Sequence, residues 1–150
     1  MNYWLMKTEP DTFSIDDLKK RKKEFWDGVR NYQARNFMRD NMKKGDLILI
    51  YHSSCKEIGV AGVATVTTEC TPDKTQFDEE SKYFDKKATK EKPRWFYVEV
   101  KFKKKLKRVI SLDEIKEETK LKDLALIKKG NRLSIMPLKK KEFDIILSLE

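Results

Sequence analysis

The segment Trp26-Asp27-Gly28-Val29-Arg30-Asn31-Tyr32-Gln33-Ala34-Arg35-Asn36 sets an indole beside a carboxylate, two guanidinium groups, several carboxamides and, by its pattern, the start of a helix. That combination suits a planar polar ligand. An indole stacks on a nucleobase for about 1–3 kcal/mol, carboxamides read donor and acceptor edges, and a helix start attracts anions. The plain alternative is that Trp26 fills the core and Asn31 only caps the helix. A second cluster, Tyr51-His52-Ser53-Ser54, brings hydroxyls and the single imidazole of the chain to the end of an apolar run. A nucleophilic serine needs a base and an acid to orient that base. Adjacent strand residues point to opposite faces, so His52 beside Ser53 does not make a triad. There is no Gly-rich phosphate loop, HExxH helix or GxSxG elbow. Basic groups gather twice, at Lys101 to Arg108 and at Lys128, Lys129 and Arg132. The first run reads equally well as solvated surface. The second sits in a Gly-containing turn beside a strand and is favoured for contacts with phosphates.

The elements that must position these groups follow from local chemistry. Asn2 to Lys7 reads as a strand closed by Glu9-Pro10-Asp11, because proline restricts its predecessor. Ser14 and Asp17 have the spacing of a helix start, with Phe13 and Leu18 as staple, and that helix runs to about Lys23. Phe25 to Asn31 reads as a turn-rich segment. Asn31 then caps a helix from Tyr32 to Lys43, with Ala34, Phe37, Met38 and Met42 at helical spacing. Leu47 to Tyr51 is the continuous apolar run of a strand buried on both faces, and Ile58 to Val66 is a second strand whose glycines suggest bulges or a tightly curved barrel wall. Thr71 to Pro93 is polar and charged and reads as a long surface loop anchored by Phe77, Tyr83 and Phe84. Trp95 to Lys103 alternates as a half-buried strand that the lysine run ends. Ser111 and Glu114 form a capping box, Leu121 to Ile127 reads as a short apolar helix, Leu133 to Leu138 as a last strand that Pro137 either ends or places at an edge, and Phe143, Ile146 and Leu147 as a terminal helix. This order does not alternate as a doubly wound sheet would. It predicts an α+β fold, a single domain over residues 1–150 around a small curved sheet.

Composition sets the outer limits. The chain has 150 residues, one histidine, two cysteines and a formal charge of +9. Chains of this length bury about 68–70% of their unfolded surface, so no metal or disulfide is needed to hold the fold. Cys55 and Cys70 form no CxxC pair and His52 stands alone, which removes most transition-metal chemistry, and neither metal nor cofactor is expected. The thiols read as reduced. Neither a basic leader before an apolar stretch nor an 18-residue apolar run is present, so a cytoplasmic protein with no membrane association is expected. The excess positive charge favours a polyanionic partner.

Taken together, Tyr3 to Pro10, Phe13 to Leu18, Trp26 to Asn36, Gly45-Asp46, Tyr51-His52-Ser53, Phe77-Asp78 with Ser81 to Tyr83, and Pro93 to Phe96 resemble the EVE domain over essentially the whole chain. Thr8 stands where serine is commoner before Glu-Pro, and the chain is unusually rich in lysine. The resemblance implies a PUA-like pseudo-barrel, a curved mixed sheet with flanking helices, and a pocket that accepts a modified nucleobase in the manner of YTH readers. It implies that Trp26 is the stacking wall, that Asn31 and Arg35 are polar groups of the pocket, and that Lys7, Tyr51, His52 and Ser53 line its other side. Arg30 and Gln33 are additional candidates, although neighbouring helix positions diverge by about 100° and cannot all face one cavity. Lys128, Lys129 and Arg132 are the phosphate candidates from charge alone. The expected function is a non-enzymatic module that binds DNA or RNA carrying a modified base. The alternatives are an enzyme acting on a nucleotide or RNA through Asp27 or His52, and a module that binds a free nucleoside or other metabolite.

Overall fold

Two strands that are apolar from Tyr3 to Met6 and from Leu47 to Tyr51 force this molecule into layers. In β1 (Tyr3–Thr8) and β3 (Leu47–His52) the side chains alternate between two cores, one on each face of the sheet. Trp4, Met6, Ile48 and Ile50 enter the first, whereas Leu5, Leu49 and Tyr51 enter the second. The computed structural model describes all residues, 1–150. Its other elements are α1 (Ile15–Arg21), β2 (Lys23–Phe25), α2 (Tyr32–Asn36), β4 (Gly59–Pro72), β5 (Phe96–Ser111), α3 (Leu112–Glu117), β6 (Ile135–Leu138) and α4 (Lys140–Ser148). The six strands form one mixed sheet in the order β2-β5-β4-β3-β1-β6, with β1 and β3 parallel and all other neighbours antiparallel.

Four register shifts along the β4–β5 ladder bend the sheet, as bulges do. Gly62 lies at one of them, and a Cβ there would come within 2.4 Å of the Ile15 side chain. The missing side chain therefore lets α1 dock on the curved face. Helices α1 and α2 contribute Ile15, Leu18 and Ala34 to the first core, while α3 and α4 close the second with Ile115, Phe143 and Ile146. Capping boxes fix the starts of α1 (Ser14 with Asp17) and α3 (Ser111 with Glu114). Asp46, itself buried, ties the start of β1 to the start of β3: it accepts from Asn2 N, Trp4 Nε1 and Lys43 N at 3.0, 3.0 and 2.8 Å.

The architecture is the α+β curved mixed sheet expected, and several details differ, among them β4, which runs on to Pro72. Strand β2 replaces part of the expected turn, because Lys23–Phe25 pairs with β5. The helix after Asn31 changes at Phe37 into a π-helical turn, Phe37–Asn41, with Met38 still buried. Strand β5 continues through the lysine run to Ser111, since Lys104 and Lys105 pair with Val63 and Gly62 while their side chains stay in solvent. The apolar stretch Leu121 to Ile127 forms 3-10 turns, Thr119–Leu121 and Ala125–Ile127, in place of a helix.

The segment after β4 differs most. Asp73 and Gln76, read as part of a solvated loop, are completely buried. Gln76 satisfies every polar atom of its carboxamide: Nε2 donates to the carbonyls of Asp73 and Trp95 at 2.7 Å, and Oε1 accepts from the amides of Arg94 and Trp95 at 3.0 Å. The loop is thus pinned at both ends.

Candidate functional site

A cleft of about 520 Å³ opens at the carboxyl end of β1, between β2, the Asp27–Asn31 segment and the tip of the long loop. Trp26 forms its wall. Trp26 N donates to Val98 O at 2.9 Å, which extends the β2–β5 ladder by one residue and turns the indole towards the first core. There the ring meets Phe13 edge-on, with centroids 6.0 Å apart. Both rings border the cleft, but the indole is only 9% exposed and belongs to the first core, so the part of it open to a ligand is small and held in place.

Beyond Trp26 the chain turns through Gly28 at φ +75°, and the Tyr83 ring lies directly on that glycine. A Cβ at Gly28 would come within 2.4 Å of the ring, so glycine is required here both by the dihedral and by the contact. The buried Asp73 carboxylate holds this turn. One oxygen accepts from Gly28 N at 2.9 Å and Arg30 at 3.3 Å, and the other accepts from Thr75 N and Oγ1 at 2.8 and 2.5 Å. Arg30 completes the frame by donating from Nε and Nη2 to Tyr83 O at 3.2 and 2.7 Å, and to Thr75 Oγ1 at 3.1 Å. Its guanidinium lies between the Tyr83 and Trp95 rings, 5.4 and 5.2 Å from their centroids.

Of the residues expected at the site, the structure brings Lys7, Trp26, Arg30 and Asn31 to the cleft. Asn31 Oδ1 is occupied as the helix cap, accepting from Ala34 N at 2.9 Å, and its Nδ2 remains able to donate. Lys7 is half-buried, and desolvation lowers the pKa of its ammonium. Arg30 reaches the cleft but spends its donors on Asp73, Thr75 and Tyr83, so its place is in the frame. Five other residues expected in the pocket lie elsewhere. Tyr51 belongs to the second core, where strand alternation puts it, and it touches Lys7 from behind, with Nζ 5.8 Å from its ring. Burial pushes its phenol up to about 12. His52 points to the other face, and its Nε2 accepts from Ile15 N at 3.1 Å at the start of α1. Ser53 continues the β1–β3 ladder by donating from its backbone to Thr8 O at 3.0 Å. Arg35 donates to Arg94 O at 2.9 Å and stacks over Tyr32, away from the cleft. Gln33 is exposed on the outside of α2. Lys128, Lys129 and Arg132 are all exposed in the turn that precedes Ser134, itself a cleft residue.

Lining residues that sequence reasoning did not assign to the site include Thr8, Phe13, Phe25, Asp27 as a wall group, Tyr83 and Ser134, together with the charged Glu9, Arg21, Glu24 and Lys82. The Asp27 carboxyl sits above its usual range, first because the cleft desolvates it and then because the Asp73 and Glu24 carboxylates face it. The cleft therefore offers aromatic faces, a cationic donor, a carboxamide N–H and a carboxyl that holds its proton more strongly than usual. These are the means of stacking a flat heterocycle and reading its edge. A second cleft, of about 500 Å³, lies near Lys56, Ile58, Arg108 and Leu112, but no aromatic ring lines it and Arg108 is already paired with Glu114 at 2.7 Å. No helix is long and apolar enough to cross a membrane.

Comparison with known proteins adds three findings. The EVE domain family model matches residues 2–149. Thymocyte nuclear protein 1 of Gallus gallus is 44% identical over 99% of this chain and 68% of its own, and the Homo sapiens protein of the same name is 43% identical over 99% and 74%. Among solved structures, a Pseudomonas syringae protein superimposes with a TM-score of 0.94 at 48% identity, covering 98% of both chains. The crystal structure of human THYN1 in complex with 5-methylcytosine containing DNA superimposes with a TM-score of 0.93 at 42% identity, covering 99% of this chain and 97% of that one.

Proposed function

Because the chain belongs to the EVE domain family, we propose that it is a non-enzymatic module that takes a modified nucleobase of a nucleic acid into the cleft beside Trp26. The observation that carries this reading is the cleft itself: an indole fixed by Phe13 and by the β5 ladder, with Lys7, Asn31 Nδ2 and the Asp27 carboxyl around its rim. The human relative crystallised with 5-methylcytosine containing DNA supports it and makes 5-methylcytosine the first base to test. The formal charge of +9 supports a polyanion as the larger ligand. Lys7, Trp26 and Asn31 are the base contacts, and Lys128, Lys129 and Arg132 engage the backbone. A base leaves a duplex at a cost of a few kcal/mol, so single-stranded or distorted DNA binds more readily than intact duplex. The free thiols of Cys55 and Cys70 support a reducing, cytoplasmic setting. His52, one of the two candidate acid–base groups, is spent on the Ile15 amide, which favours binding over turnover.

The test is tryptophan fluorescence titration with short oligonucleotides that differ only in a central 5-methylcytosine or cytosine. Wild type is expected to prefer the methylated strand, and Trp26→Ala to lose that preference. Replacing Lys128, Lys129 and Arg132 by alanine is expected to weaken both strands alike and to lower the slope of log K against log salt by about 2 for single strands, at about 0.7 per phosphate. Equal affinity of wild type for the two strands overturns the reading.

A further inference from the structure

The outer face of the β2–β5 pair is unusual for a soluble surface. Antiparallel register sets Lys23 directly opposite Lys101, and Lys103 follows at a bulge in the same strand. Like charges placed opposite one another across a ladder destabilise it. None of the three lysines forms an ion pair, although all are exposed. The acids of these strands, and Asp16 in α1, are committed elsewhere. Glu24 pairs with Arg21 at 2.5 Å, Glu99 accepts from the Thr67 and Thr68 hydroxyls at 3.0 and 3.1 Å, and Asp16 takes Lys105 at 2.8 Å.

Beside this unrelieved charge stands an aromatic ring. Phe25 is 38% exposed, and it is held in one orientation by Tyr97, whose ring lies parallel behind it at 4.7 Å and 27°. Phe25 also lines the cleft. Phe25 and Trp26 are consecutive at the end of an edge strand, so their side chains leave on opposite faces and the cleft wraps the sheet edge between them. One ring turns inward and the other outward, and the opposed lysines Lys23 and Lys101 lie on the outer side.

We infer that Phe25 is a second stacking platform, which takes the nucleotide next to the base in the cleft, while Lys23 and Lys101 hold the phosphates on its outer side. This rests on the reading of the cleft as a nucleobase site and adds to it the path of the strand: from Trp26, over the edge of β2, onto the outer face of β5. A nucleotide there relieves both costs of the surface at once, since the base covers the exposed ring and the phosphate neutralises the opposed lysines. The contact is indifferent to sequence, because every base has a π-face.

The experiment uses oligonucleotides with a central 5-methylcytosine or cytosine and the fluorescent base 2-aminopurine on either side of it. Wild type is expected to quench 2-aminopurine at one flanking position. Phe25→Ala is expected to abolish that quenching and to weaken methylated and plain strands alike, roughly 5- to 150-fold, with the ratio between them unchanged. Phe25→Trp is expected to restore both, which separates stacking from any effect on folding. The Lys23→Ala, Lys101→Ala double variant is expected to lower the single-strand salt slope by about 1.4. Phe25→Ala with wild-type affinity and quenching overturns the inference and leaves the cleft reading standing, provided Trp26→Ala still loses discrimination. Wild type that binds no oligonucleotide overturns both.

Discussion

Substituting Gly28 by alanine tests whether the long loop is a structural wall of the cleft. Two costs add at this position. A left-handed φ of +75° costs a non-glycine residue about 1–2 kcal/mol. The new Cβ also falls within 2.4 Å of the Tyr83 ring, an overpacking of the kind that costs about 1–3 kcal/mol. The sum is about 2–5 kcal/mol, or a fall in Tm of roughly 4–20 °C at about 2–4 °C per kcal/mol. The two parts separate in a double-mutant cycle. In a Tyr83→Ala background the ring is gone and only the dihedral cost remains, so Gly28→Ala should cost about 1–2 kcal/mol there and the cycle should show a coupling of about 1–3 kcal/mol. Urea unfolding followed by tryptophan fluorescence gives all four free energies. Arg30 bonds the carbonyl of residue 83, which alanine retains, so Tyr83→Ala removes the ring without releasing the loop. Costs that add to within about 0.5 kcal/mol would refute the docking of Tyr83 on Gly28.

Two further outcomes follow from buried polar groups. Burial holds the His52 pKa below its usual value, and the neutral ring is what accepts the Ile15 N–H, so the unfolded chain takes up a proton first as pH falls through about 6.5. Stability contributed by His52 is therefore complete above that pH and declines below it. The fall in Tm between pH 7 and 5.5 should shrink in His52→Gln, and identical slopes in the two proteins would contradict this role. Asp46→Ala strands the buried indole N–H of Trp4 and two backbone amides; with a buried unsatisfied donor costing about 1–3 kcal/mol, we expect a loss near 3 kcal/mol, seen as a Tm lower by roughly 6–12 °C. A Tm within about 2 °C of wild type would show that water replaces the carboxylate.

Local rules made much of this molecule legible. The capping serines at 14 and 111, the cap at Asn31, the doubly buried β3 and the edge position of Pro137 all follow from chemistry within a few residues, and all are in place. What was not legible depended on partners far along the chain. Asp73 lies in a stretch dense with charged side chains, and nothing near it distinguishes a buried carboxylate from a solvated one. The distinction is made by Gly28, 45 residues away. Strand β5 looked finished at its lysines because half-exposed strand residues are free to be polar, and only pairing with β4 keeps them in the ladder. The same holds for the site. Trp26 announces itself by type and context, whereas Tyr83 and Ser134 join the cleft only through the fold.

The segment from Trp26 to Asn36 is best understood as two sets of residues with different work. Its density of polar and aromatic groups suggests that all of them touch a ligand, yet most of the polar groups are engaged within the protein. Arg30 is held by Asp73, Thr75 and Tyr83, Arg35 by Arg94 and Asn36, and one end of Asn31 by the helix it caps. Trp26 and the free amide of Asn31 remain for the cleft. The engaged groups still matter to recognition, because a stacking wall discriminates among bases only if its distance from the edge-reading groups is fixed. Here that distance is set by a buried carboxylate acting on a glycine turn, and by a guanidinium acting on the loop that faces it. Substitutions at Asp73 or Arg30 should therefore impair base selection through the spacing of Trp26, Asn31 and Tyr83, although neither side chain needs to meet the base.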